Sequence, residues 1–178
     1  DTGEKFIFSD YDSDYPSLQE GLKFLKEATI LAGHNICGYD LPVLKQLVNF
    51  EPDSTTKLWD TWVMSQTIQY KRKHKHGLEG WGSFFNFPKI EFNDFSGYSK
   101  EMLEYCIRDV ELNVKVYNKL KEDAVKIAQI NPTFFKGLEV ETEFARIEAD
   151  MRNLGWSFDL KKAYDIKEEI SSRMQLIE

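Results

Sequence analysis

Cysteine is scarce: the 178 residues hold two, Cys37 and Cys106. They lie far apart and match no metal-ligand spacing, which excludes a cysteine-held metal and points to a reducing intracellular setting. Long apolar runs are missing as well. No stretch reaches the ~18 apolar residues of a membrane span, and no signal peptide opens the chain. Positive charge is in deficit, with 23 Lys+Arg against 30 Asp+Glu and a formal net charge of −7. That balance excludes a protein that coats polyanions by charge alone. It leaves room for nucleic acid, because a local basic patch can serve and bound divalent metals offset acidic groups. Repeats and low-complexity tracts are absent. What is plentiful is core material, 42% hydrophobic and 14% aromatic, enough for one packed domain and the start of another. The chain opens Asp1-Thr2-Gly3-Glu4 without Met and its last helix has no stop signal. Both ends therefore read as cut from something longer.

Read in order, Lys5-Phe6-Ile7-Phe8 is expected to be a short strand. Ser17 to Ala28 forms an amphipathic helix, with Leu18, Leu22 and Leu25 at i, i+4 and i+7. Thr29-Ile30-Leu31-Ala32 is a second strand and Leu41 to about Phe50 a helix. Leu58-Trp59 enters another strand-like element, and Asp60-Thr61 caps a helix running to about Tyr70. The basic run Lys71-Arg72-Lys73-His74-Lys75-His76 is either a solvated loop or, in so acidic a chain, the natural place for phosphate contacts. Phe84 to Gly97 reads as an extended, aromatic-rich loop packed on the core. Ser99 to about Ile130 is helical with a break near Asp123, and a further helix runs from about Gly137 to Asn153. Gly155 stops it, and a last helix starts near Leu160.

Two acidic residues stand out. The strand at 29–32 runs into Gly33-His34-Asn35-Ile36-Cys37-Gly38-Tyr39-Asp40, which puts polar groups where a strand ends and a helix begins, the usual place for α/β sites. On local grounds Asp40 is a helix N-cap, with Pro42 suited to the first turn. One oxygen can cap while the other faces a metal. Far along, Met102, Tyr105, Asp109, Leu112 and Val116 share one helical face. A carboxylate on a greasy stripe is costly unless paired or metal-bound, so Asp109 is either at the stripe's edge or a ligand. Tyr105 lies one turn earlier, where its hydroxyl can reach whatever that carboxylate holds. Oxygen ligands without a Cys or His cluster favour Mg²⁺ or Mn²⁺.

His34-Asn35 followed by Asp40, together with Tyr105-Cys106-Ile107-Arg108-Asp109, resembles the second and third motifs of the proofreading 3′→5′ exonuclease domain of family A DNA polymerases, the DNA polymerase I family, especially its phage replicative branch. Asp60-Thr61-Trp62-Val63-Met64-Ser65 and His76-Gly77-Leu78-Glu79-Gly80-Trp81-Gly82 resemble connecting segments of that branch. Glu143 through Asp159 is similar to the segment that opens the polymerase module. The resemblance implies an α/β, ribonuclease-H-like exonuclease fold over 1–130, N-terminally truncated, and the start of a helical polymerase domain over 131–178. It implies hydrolysis of 3′-terminal nucleotides in DNA replication, supported by two Mg²⁺ or Mn²⁺ ions. Asp40 and Asp109 would be metal ligands and Tyr105 would position the water. His34 and Asn35 would line the path of the strand's 3′ end, Leu78 would pack on the terminal base, and Lys71, Arg72, Lys73 and Lys75 would meet phosphates. The implied partners are a single-stranded 3′ end or primer-template DNA, the rest of the polymerase chain and replication accessory proteins, in the cytoplasm of a bacterial or phage-infected cell.

One departure is plain. The family's first motif, Asp-x-Glu on the opening strand, is absent. Asp10-Tyr11-Asp12 is the nearest substitute, but a helix follows at once, which makes Phe6–Phe8 the third strand of such a sheet. With half of the carboxylates, the chain by itself is expected to be a weak or inactive nuclease. Two alternatives stay open: a degenerate exonuclease-like scaffold or DNA-binding module, and a stand-alone exoribonuclease of the same superfamily.

Overall fold

The computed structural model describes residues 3–176 as a mixed α/β chain that is mostly helical. Its helices are α1 (Leu18–Lys26), α2 (Asp40–Val48), α3 (Thr61–Ile68), α4 (Leu78–Phe84), α5 (Lys100–Ala128), α6 (Phe134–Leu154) and α7 (Leu160–Gln175). Two short strands, β1 (Ile30–Gly33) and β2 (Lys57–Asp60), pair in parallel, with Ile30 opposite Lys57 and Gly33 opposite Asp60. Parallel strands need a crossover, and α2 supplies it. No described helix is long and apolar enough to cross a membrane.

Local chemistry accounts for most of the boundaries. Ser17 and Glu20 close a reciprocal capping box on α1, each side chain meeting the other residue's backbone N–H. Of the stripe on that helix Leu22 is buried, whereas Leu18 lies at its exposed edge. Asp60 caps α3 and Ser99 caps α5 through side-chain oxygens. Gly155 ends α6 at φ 70°, a backbone region open to glycine.

Two expectations are corrected, and one helix is added. Lys5–Phe8 is not a strand, because its backbone pairs with neither β1 nor β2. Its rings instead pack beside α1, with Phe6 4.7 Å from Phe24. Phe8 lies so close to Gly21 that a Cβ there would sit 2.7 Å from its ring. Helix α5 runs through Asp123 unbroken, since that carboxylate is tied to Lys119 one turn earlier and accepts from the Gln69 amide. Residues 78–84, rich in glycine, form α4 despite poor intrinsic propensity. Tertiary fit decides there: a Cβ on Gly80 would lie 2.2 Å from the Lys75 carbonyl oxygen and one on Gly82 2.9 Å from that of Phe87.

The core joins Trp59, Met64, Trp81, Leu112, Val116, Leu120, Ala124 and Leu138, so β2, α3, α4, α5 and the first half of α6 share one interior. Packing continues across residues 130–131, where a domain boundary was expected. Farther on, Phe144, Ile147, Met151 and Leu154 of α6 and Ile166, Ile170 and Met174 of α7 are exposed.

Candidate functional site

Gly33 and Asp60 end their strands side by side, and the site begins there. Asp60 is buried, 1% exposed. One of its oxygens accepts from the Asn35 N–H at 2.9 Å, the Trp62 N–H at 2.9 Å and the Val63 N–H at 3.4 Å. The other accepts from the Cys37 N–H at 3.2 Å. A single carboxylate thus caps α3 and fastens the 34–38 turn to β2. Burial raises its pKa, against the pull of these four N–H groups. Within the turn Asn35 takes φ 60°, a region that asparagine tolerates better than most residues. Gly38 is needed because a Cβ would lie 2.4 Å from the Asn35 side-chain oxygen.

His34 is held by the same construction. Its Nδ1 lies 2.9 Å from the Thr61 hydroxyl, and its ring lies parallel to Trp62, centroids 6.2 Å apart. Thr61 in turn reaches Asn113 Oδ1 on α5 at 2.7 Å and the Gly33 carbonyl at 3.3 Å. The threonine proton goes to one of those oxygens, so the hydroxyl accepts from Nδ1–H and Nε2 is the unprotonated ring atom. Nε2 is buried without a partner. Burial, and the positive charge of Lys89, push the imidazole down to about 4.

Lys89 is the residue that sequence reasoning missed. Its ammonium lies 2.7 Å from Asp109 Oδ2 and donates to the Tyr105 hydroxyl at 3.1 Å. Burial works against this charge, but the hydrogen bonds and charges of Asp109 and Tyr105 outweigh it and raise its pKa. Asp109 Oδ1 is buried and unpartnered. Tyr105 is wedged against Phe92 and Phe95, at 5.7 and 5.9 Å. Tyr105 and Asp109 therefore share one ammonium, and His34 is tied to the same helix through Thr61 and Asn113, one turn beyond Asp109.

The other expected site residues are placed differently. Asp40 is not the N-cap of α2: Tyr39 takes that position without a side-chain bond and Asp40 is the first helical residue. It keeps solvent exposure, yet the protein behind it raises its pKa and Asp60 repels it further. Among the described residues, no hydrogen bond or ion pair joins Asp40 to Tyr105 or Asp109. Asp10 and Asp12 do not replace the missing carboxylates. Asp10 accepts from the Leu18 N–H, and Asp12 from the Asp14 N–H and the Tyr98 hydroxyl, so both are engaged in structural hydrogen bonds. Leu78 is partly buried against the core. Asn35 borders a cleft of about 660 Å³ between α3 and α6, lined also by Trp62, Tyr70 and Phe144.

The basic run divides. Lys71, Lys73 and Lys75 are exposed. Arg72 turns inward: its guanidinium lies 3.5 Å from the Trp81 ring centre and donates to the Gly80 carbonyl at 3.4 Å. Replacing Arg72 by Ala is expected to cost about 1–2 kcal/mol of stability through lost stacking and stem packing. Replacing the three lysines together should leave the urea midpoint in place and flatten the log–log salt slope of single-stranded DNA binding by about 2. An unchanged slope would return them to a solvated loop.

The chemistry of the donor set does not fit two hard divalent ions. Such ions want several carboxylate oxygens, and here Asp109 shares one of its two with an ammonium, and among the described residues no hydrogen bond or ion pair links it to Asp40. Among the described residues, no group of three His, Cys, Asp or Glu side chains is arranged to hold a metal. No model of a known protein family matches the chain, and no curated protein matches it significantly.

Proposed function

We propose that this chain is the 3′→5′ exonuclease segment of a DNA-directed DNA polymerase, of ribonuclease-H-like fold, whose parent removes 3′-terminal nucleotides during DNA replication. The observation that carries the reading is that Tyr105 and Asp109 share one ammonium while His34, at the carboxyl end of β1, is tied through Thr61 to Asn113, one turn beyond Asp109 on α5. Two motifs far apart in sequence thereby share one locale, where α/β proteins place ligands. The neutral imidazole and the phenol are suited to contacting a nucleic-acid end, and exposed Lys71, Lys73 and Lys75 to its phosphates. A second reading has an observation of its own. The Lys89–Asp109 ion pair favours a non-catalytic scaffold that keeps the shape of the site and binds DNA ends.

Shortening of a 5′-labelled single-stranded oligonucleotide in Mg²⁺ or Mn²⁺, by a version restored at its N-terminus with an Asp-x-Glu strand, tests both. A ladder receding from the 3′ end that Asp40→Ala and Asp109→Ala both lose supports the nuclease. Full-rate shortening by both variants refutes these residue roles. Retained DNA binding with no shortening selects the scaffold.

A further inference from the structure

We propose that two copies of this chain pair by exchanging helix α7, each α7 lying along α6 of the other copy. The inference stands apart from the nuclease reading and rests on two faces that the fold leaves bare. Helix α6 is apolar on two sides. Leu138, Thr142 and Ala149 are buried against the rest of the molecule. On the opposite side Val140, Phe144, Ile147, Met151 and Leu154 recur at spacings of 4, 3, 4 and 3, and all five are exposed. That is the seam along which one helix receives another. Both margins of the seam are acidic, with Glu141 and Glu148 on one side and Glu143 and Asp150 on the other. Arg146 and Arg152 lie farther round, each tied to one of these glutamates. Two such faces repel each other, so the occupant carries positive charge at its own margins. Helix α7 has that pattern. Ala163, Ile166, Ile170 and Met174 form its stripe, bordered by Lys167 on one side and by Lys162 and Arg173 on the other. Asp165 and Glu168 lie on the far side, and Glu169 is tied to Arg173. Among the described residues, none of α7 is buried. Within one chain the seam and the stripe are both open to solvent, so the helix that fills the seam comes from a second copy. The exchange is reciprocal, as a two-fold dimer requires.

Analytical ultracentrifugation of the whole chain tests this. Wild type is expected to be dimeric at tens of micromolar, and Ile147→Asp and Ile170→Asp should each weaken association about tenfold or more. Both side chains are exposed, so neither change should disturb the fold, which far-UV circular dichroism checks. Charge reversal gives a second measure. Glu141→Lys, Glu143→Lys, Glu148→Lys and Asp150→Lys together make a chain whose two faces are both basic. Lys162→Glu, Lys167→Glu and Arg173→Glu together make one whose two faces are both acidic. Each is expected to be monomeric alone and to pair with the other in an equal mixture, most strongly at low salt. A wild type that stays monomeric at those concentrations would overturn the proposal. So would a dimer that either aspartate variant leaves intact, or a mixture of the two reversed chains that remains monomeric. A monomer whose urea midpoint falls in Ile147→Asp would put α7 on its own α6, which also overturns the exchange. Should an aspartate variant not fold, the mixture of reversed chains decides.

Discussion

Asp60→Ala is expected to destabilise the protein by about 3–5 kcal/mol, a large share of what holds a domain of this size together. The carboxylate is buried and accepts four backbone N–H groups from two elements. Removing it leaves four buried or partly buried donors without a partner, and each unsatisfied buried donor costs about 1–3 kcal/mol. The loss falls short of their simple sum because the 34–38 turn can open and let water in. Asp60→Asn should cost less, since the amide oxygen can still accept at one side while its NH₂ faces the Cys37 N–H. Urea unfolding of both variants measures the order. If the Asp60→Ala midpoint matched wild type, Asp60 would not be the fastening point between β2, α3 and the turn. With the turn released, the Thr61–His34 hydrogen bond should loosen too, so DNA binding is expected to weaken in folded Asp60→Asn.

This dependence explains what could be read in the sequence. The turn after β1 and the face of α5 were legible because each is local: a polar stretch at a strand end, and a 3-4-3-4 spacing along a helix. Asp60 was legible as a cap for the same reason, but its hold on Asn35 and Cys37 was not, because that bond depends on the parallel pairing of Gly33 with Asp60. Lys89 was illegible because it lies in an aperiodic stretch, and nothing in its neighbours ties it to a helix that begins eleven residues later. The Lys5–Phe8 expectation failed because a short apolar run satisfies a helix flank as well as a sheet. Arg72 was misjudged with its lysine neighbours, since composition does not say which member of a basic run faces an indole. The glycines of α4 show the same dependence on tertiary contacts. Propensity argues against a helix there, while the closeness of the Lys75 and Phe87 carbonyls demands residues without a Cβ.

The second large effect concerns acid. Folded His34 should resist protonation down to pH about 4, whereas the unfolded imidazole takes up a proton near 6.5. Between those values the unfolded chain binds more protons than the folded one, so acidification favours unfolding. The full offset is an upper bound because the ring is only partly buried; about 2–3 kcal/mol of stability should be lost from this residue between neutral pH and pH 4. Several carboxylates held below their ordinary range, among them Asp53, Asp94 and Glu122, lose stability on acidification too, and raised Asp40 and Asp60 act in the opposite sense. His34→Gln shares all of them. The stability advantage of wild type over His34→Gln should therefore shrink by about 2–3 kcal/mol as the pH falls through that window, and the difference isolates the imidazole. An NMR titration of the His34 ring checks the premise directly, and a midpoint near 6.5 would refute it. Lys89→Met adds a further arm. Taking away the neighbouring positive charge should raise the His34 midpoint while burial still keeps it below the ordinary value, which would tie the imidazole and the ammonium to one pocket.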